Sequence, residues 1–169
     1  GSTVATASIE TVGEITEGNF WFQLYNPADE ELRNNILDRA MAAGCQCLVI
    51  LADTPTLSYR PREIRNGLSI PPRMSVRNIF QMIMHPIWSF SQLAAGAPQF
   101  MTMKPYIPKG LSMKHLGLFI NKTFSGRLTE DKIKSIRDHW KGKLVVKGIV
   151  NEEDAEKVLN IGGDGFIVS

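Results

Sequence analysis

At 169 residues and 43% hydrophobic content the chain has enough apolar material for one ordinary domain with a sizeable core. Nineteen Lys and Arg against seventeen Asp and Glu leave a net charge of +2, so the average charge gives no reason to expect nucleic acid or a strongly anionic partner, and any basic partner surface must be local. Cys45 and Cys47, separated by one residue, have neither zinc spacing nor a redox C-x-x-C pattern, so no metal site is predicted and both read as core packing in a reducing compartment.

In chain order, a weak apolar run at residues 2–5 is followed by a stronger one at 20–25, both short enough for strands. Pro27-Ala-Asp-Glu-Glu then opens a helix through residue 43, with Leu32, Ile36, Leu37 and Ala40 at helical spacing, acidic residues in the first turn and Gly44 as the stop. A buried strand is predicted at 47–52. From Asp53 to Lys143 the interval is far longer than a βα connection needs, and its part from 71 to 108, rich in Met, Trp and Phe, reads as an insert. Thr129-Glu-Asp-Lys caps a helix to Trp140 with Ile133, Ile136 and Trp140 inward. A strand at 144–146, a helix starting at Asn151 and ending near Leu159, and a last strand at 166–168 complete the chain. This alternation implies α/β architecture with about five consecutive parallel strands and helices outside. Since a closed (β/α)8 barrel takes roughly 250 residues, residues 1–169 correspond to a partial TIM barrel, and such a piece is expected to self-associate or to pair with a complementary barrel fragment.

In parallel α/β barrels the site lies at the carboxyl ends of the strands, and four segments here end in polar residues. Gln23 and Tyr25 are two apart and so share a strand face, while Asp53, Lys147 and Ser169 each close one of the other apolar runs. Singly, each has an ordinary alternative: an Asp caps loops, a Tyr seals barrel ends, a Lys reaches solvent. Donors, a cation and a carboxylate converging on one barrel mouth make a better site than any one of them alone. His85, His115 and His139 fall in the insert or in helical stretches, where surface and packing roles outweigh catalysis.

Several of these segments resemble one family. They are Ser-Thr-Val-Ala-Thr-Ala-Ser-Ile-Glu at 2–10, Trp-Phe-Gln-Leu-Tyr at 21–25, Ala-Asp-Thr-Pro at 52–55, Tyr-Arg-Pro-Arg-Glu-Ile-Arg-Asn-Gly at 59–67, Val-Val-Lys-Gly-Ile at 145–149, Glu-Asp-Ala at 153–155 and Gly-Asp-Gly-Phe-Ile-Val-Ser at 163–169. In order and spacing they are similar to the FMN-dependent α-hydroxy-acid dehydrogenases and oxidases, the family of glycolate oxidase, L-lactate dehydrogenase and mandelate dehydrogenase. The resemblance implies FMN as cofactor, with Ser2 and Gln23 at flavin-contacting positions and Lys147 as the cation that stabilises the reduced ring. It implies Tyr25 as a substrate contact, Asp53 as the carboxylate supporting a catalytic histidine, and Arg60 as a secondary active-site arginine. Leu51 departs from the pattern, which usually has Thr or Ser there. The family continues past the position of Ser169 with Asn-His-Gly-Gly-Arg, so the 169-residue chain alone is expected to lack the base histidine and the main carboxylate-binding arginine and to be inactive by itself.

The implied reaction is oxidation of an (S)-2-hydroxy acid to the 2-oxo acid. The His-Pro-Ile-Trp segment at 85–88 resembles the long insert of the membrane-associated members, which pass electrons to quinone. Residues 71–108 are therefore a candidate membrane-binding segment, too interrupted to span a bilayer but suited to an interface. With no signal peptide visible, the expected location is cytoplasmic, peripheral on the inner face of the membrane. An oxygen-dependent hydroxy-acid oxidase and a non-catalytic part-barrel scaffold are the alternatives.

Overall fold

The computed structural model describes residues 1–53, 61–66, 75–96, 99–108, 110–111, 113–124 and 127–169. Four parallel strands, β1 (Trp21–Leu24), β2 (Cys47–Leu51), β3 (Lys143–Ile149) and β4 (Gly165–Val168), lie side by side in chain order. Each connection returns the chain to the same end of the sheet, as in an arc of a parallel barrel. The opening strand expected at 2–5 is reduced to one parallel bridge between Ser2 and Gln23. The reason is local: the Ala5 N–H turns back to the Ser2 carbonyl at 3.1 Å, which ends the extension. β3 outruns its apolar run at both ends, because ladder hydrogen bonds do not require apolar side chains.

The register sorts the two faces. Phe22, Leu48 and Leu144 align across β1, β2 and β3, and so do Leu24, Ile50 and Val146; all six are fully buried against the outer helices. On the opposite, inner face Gln23 aligns with Val49 and Val145, and Leu51 aligns with Lys147. β2 is buried on both faces, which is why it reads as an unbroken apolar run.

The helices form where the periodicity places them, while the caps hold only in part: Thr129, expected to cap the helix to Trp140, makes no side-chain capping hydrogen bond. In α2 (Glu30–Ala42) the Asp29 side chain accepts the Leu32 N–H at 3.0 Å, and Ile36, Leu37 and Ala40 are buried. In α7 (Glu130–His139) Ile133 and Ile136 face the core, and just beyond it Trp140 is fully buried with Nε1 donating to the Lys143 carbonyl at 2.9 Å. α8 (Glu152–Asn160) starts on Asn151, whose side chain accepts the Asp154 N–H at 2.7 Å. α1 (Ile9–Thr16) was not expected from periodicity, since it buries little beyond Ile9 and Gly13. Gly13 lets it lie against α2: a Cβ there would stand 2.6 Å from the Ala43 carbonyl oxygen.

The long interval contains α3 (Pro61–Arg65) and then α4 (Val76–Met84) and α5 (Pro86–Ala95), two helices in which no residue is buried. The chain returns through residues 99–108, where Thr102 and Met103 are buried and the Met101 N–H donates to the Ala5 carbonyl at 3.2 Å. α6 (Met113–Thr123) follows, with Ile120 in the core and Phe124 just after it.

Candidate active site

At the carboxyl end of the sheet the β2 chain makes one more parallel contact beyond Leu51: the Ala52 N–H donates to the Lys147 carbonyl at 2.8 Å. That contact carries Asp53 across the end of β3. Lys147 Nζ lies 3.2 Å from Asp53 Oδ2 and donates to Ser169 Oγ at 2.9 Å, and the Ser169 hydroxyl donates to Asp53 Oδ2 at 3.3 Å. Cation, hydroxyl and carboxylate thus form a closed triangle in which the hydroxyl accepts once and donates once. The Lys147 and Asp53 side chains are 32% and 33% exposed, so solvent keeps the pair's contribution to stability below about 1 kcal/mol. Its value is orientation: each charged group is fixed on the open inner face rather than sweeping through solvent.

The β1 side of the mouth is held by the first residues of the chain. The Gln23 N–H donates to the Gly1 carbonyl at 3.0 Å, and the Thr3 N–H donates to the Gln23 carbonyl at 3.1 Å. Thr3, fully buried, also donates its hydroxyl to the Gln23 carbonyl and accepts the Tyr25 N–H, each at 3.1 Å. Ser2, Gln23 and the backbone of Tyr25 therefore form one unit, with Gln23 half-buried on the inner face. The Tyr25 ring is half-buried and meets Phe124 edge-on at 6.3 Å between centroids. Leu51, the departure noted from the pattern of Thr or Ser, is buried beside Lys147.

Of the predicted site residues, Asp53 and Lys147 are in direct contact and Ser2 pairs with Gln23, while Arg60 lies outside the described residues. Ser169, one of the polar strand ends of the sequence, joins Asp53 and Lys147 as expected of that position, whereas Thr3 was missed, because nothing in its stretch of small residues marks the hydroxyl that ties it to β1. The histidines stand apart from the triangle: His139 pairs with Asp38 at 2.7 Å, His85 Nδ1 lies 2.9 Å from the Gln81 carbonyl, and His115 is exposed on α6. Among the described residues no group of His, Cys, Asp and Glu could hold a metal ion. Burial raises the thiols of Cys45 and Cys47 above their usual range, so neither offers a thiolate at neutral pH.

A flavin ring presents carbonyl oxygens and nitrogens that need donors. The inner face supplies an amide from Gln23 and an ammonium from Lys147, with the Asp53 carboxylate engaged by that ammonium. The donor set fits the group.

The sequence profile of FMN-dependent dehydrogenases matches residues 1–169. The chain belongs to that family. L-lactate dehydrogenase of Haemophilus influenzae is 32% identical over 169 residues, which are 99% of this chain and 44% of that protein. Among solved structures, the monotopic membrane protein (S)-mandelate dehydrogenase superposes with a TM-score of 0.87 at 28% identity, over 99% of this chain and 44% of that one. Mandelate oxidase, at 23% identity and a TM-score of 0.67, over 99% of this chain and 38% of that one, shares the fold. The chain thus spans less than half the length of the relatives it matches. The four parallel strands are an arc of the barrel of these FMN enzymes.

Proposed function

We propose that this chain carries part of the flavin and substrate site of an enzyme that oxidises an (S)-2-hydroxy acid, lactate- or mandelate-like, to the 2-oxo acid. The observation that carries the reading is the Lys147–Asp53–Ser169 triangle at the strand ends, set in a chain that one family profile matches throughout. FMN, when bound, supplies the acceptor for the α-hydrogen and its electron pair. The residues of this chain do the rest of what is assigned here. Ser2 and Gln23 hold the cofactor by hydrogen bonds. Lys147 provides the positive charge that favours the reduced ring. Tyr25 contacts the substrate, Arg60 serves as a secondary active-site arginine, and the Asp53 carboxylate supports a base as that base takes up the hydroxyl proton.

Electrons pass to a membrane quinone in this reading, and the support for that step is the insert. On α4 and α5 Phe80, Ile83, Met84, Ile87, Phe90 and Leu93 are exposed, and an apolar cleft of about 690 Å³ opens between the two helices. Arg77, on the same hairpin, can meet lipid phosphate, a contact worth about 1 kcal/mol near an anionic surface. No described helix is long and apolar enough to cross a membrane, and in this reading the hairpin attaches by its surface.

The test is Lys147→Met in the intact protein. The expected result is a lower midpoint potential for the bound flavin and a fall of about a hundredfold in its reduction by the hydroxy acid, the usual order for one electrostatic donor. An unchanged potential with an unchanged rate would remove Lys147 from the site. Comparing quinone reduction with oxygen consumption under the same turnover separates the dehydrogenase from an oxygen-using oxidase.

A further inference from the structure

We propose that Gly148 is a positioning residue whose missing side chain holds Asp53 on Lys147. It follows Lys147 directly and is the extra residue of a β-bulge: Lys147 pairs with Ile167 and Ile149 pairs with Val168, which leaves Gly148 without a partner on β4. Its φ of +98° lies in the region that side chains disfavour, so the backbone already selects glycine. The space selects it again. A Cβ on Gly148 would stand 2.7 Å from the Asp53 backbone nitrogen, 2.7 Å from its Cβ and 2.8 Å from its Cγ. One of these is main chain and the other two are the stiff root of a short side chain, so no rotation of a flexible end relieves them.

What yields is the turn at 52–53. It is tied to β3 by the Ala52 N–H on the Lys147 carbonyl, one residue before the bulge. Pushing Asp53 away from Gly148 therefore acts across the same short span that fixes the 3.2 Å approach of Oδ2 to Nζ and the 3.3 Å approach to Ser169. The bulge does for Asp53 what a strand alone cannot. A residue at the end of β2 would otherwise continue along the sheet, and the glycine lets it lie flat across the end of β3 and put its carboxylate on the inner face.

The consequence for the flavin rests on the function proposed above, whereas the contact between Gly148 and Asp53 does not. With Asp53 displaced, less negative charge offsets Lys147, and the reduced flavin becomes easier to form. Gly148→Ala should therefore raise the flavin midpoint potential in the same direction as Asp53→Asn.

The experiment uses the intact protein in four forms: unaltered, Gly148→Ala, Asp53→Asn and both together. Flavin content, midpoint potential and the pH profile of flavin reduction by the hydroxy acid are read on each. The expected result is that Gly148→Ala retains flavin, raises the potential and shifts the pH profile as Asp53→Asn does, and adds nothing further in the Asp53→Asn background. An unchanged potential, or full additivity in the double variant, would overturn the assignment. A parallel cycle follows thermal unfolding of Gly148→Ala with and without Asp53→Gly, which removes the Cβ and Cγ that the new methyl would meet. Loss of stability, or of folded yield, that Asp53→Gly partly restores supports the contact; no restoration overturns it. If the unaltered protein holds no flavin, the proposed function fails while the unfolding cycle still decides on Gly148.

Discussion

The helix-covered face of the sheet and the α4–α5 hairpin are built from the same kinds of side chain and end in opposite places. Phe22, Leu24, Ile36, Leu48 and Ile50 are fully buried, whereas Phe80, Ile83, Ile87, Phe90 and Leu93 are mostly exposed. Apolar content therefore does not decide burial; an available partner does. The sheet residues alternate with a second face and find α2 and α7 at the distance a βα unit provides. Among the described residues those of the hairpin line one shared cleft and leave the rest of their apolar surface exposed.

The largest effect that separates the two regions compares one tryptophan from each. Trp140 is fully buried with its indole N–H satisfied, and Trp88 on α5 is 54% exposed. Trp140→Ala should cost about 3–5 kcal/mol of stability, in the range of buried aromatic deletions. Trp88→Ala should cost about 0.5 kcal/mol or less, as surface changes do. Urea unfolding of both variants in the intact protein is the check, and comparable losses would mean that the hairpin packs into the fold in solution.

A smaller effect tests what covers the hairpin. Phe80→Glu and Ile83→Glu each remove an exposed apolar side chain, 62% and 68% exposed, and add a negative charge. Burial of such a side chain in lipid is worth about 1.5–3 kcal/mol, so each variant should weaken co-sedimentation with anionic vesicles by tenfold or more. The unfolding midpoint should stay where it was. Full retention of vesicle binding would rule out the membrane as the partner of this face and leave a protein contact in its place.

The two regions also differ in how far sequence reasoning reaches. The α2 helix follows from its Asp29 cap, and both α2 and α7 follow from Ile36, Leu37, Ile133 and Ile136 at helical spacing, because a helix packed on one side must repeat its apolar stripe. α1 escaped because it is only eight residues long: Ile9, Val12 and Gly13 share its inward face, too short a stripe to stand out, and its closest contact with α2 runs through Gly13. The strand-end positions of Gln23, Asp53 and Lys147 were legible from where apolar runs stop. That Asp53 touches Lys147 was not, because it depends on a bulge and a turn that span two distant segments. Thr3 was hidden in the same way, since its role is to tie the start of the chain to β1 through its hydroxyl.

The smallest effect is expected at the seam where the insert returns to the body of the domain. Arg39 on α2 grips Glu10 of α1 with two hydrogen bonds of 2.7 and 3.1 Å, and it also donates to the Thr102 carbonyl at 2.8 Å and stacks over Tyr106 at 5.6 Å. The bonds from Arg39 pull the Glu10 carboxyl from its usual 4.5 to about 2, against a smaller opposing effect of burial. A carboxyl whose pKa is lower in the folded state binds its proton more tightly when unfolded. Its contribution to stability is therefore complete above about pH 4.5 and is lost as the pH falls toward 2. Since the Glu10 side chain is 49% exposed, solvent screening reduces the gain to about 0.5–1 kcal/mol. Glu10→Gln should lower the melting temperature of the intact protein by a few degrees at most near pH 6, and the gap to the unaltered protein should narrow steadily as the pH is brought from about 4.5 toward 2. Added salt at pH 6 should shrink it as well. A gap that stays constant across that range would show that Glu10 acts through packing or through its neutral hydrogen bonds, and the seam would then hold the insert without help from its charges.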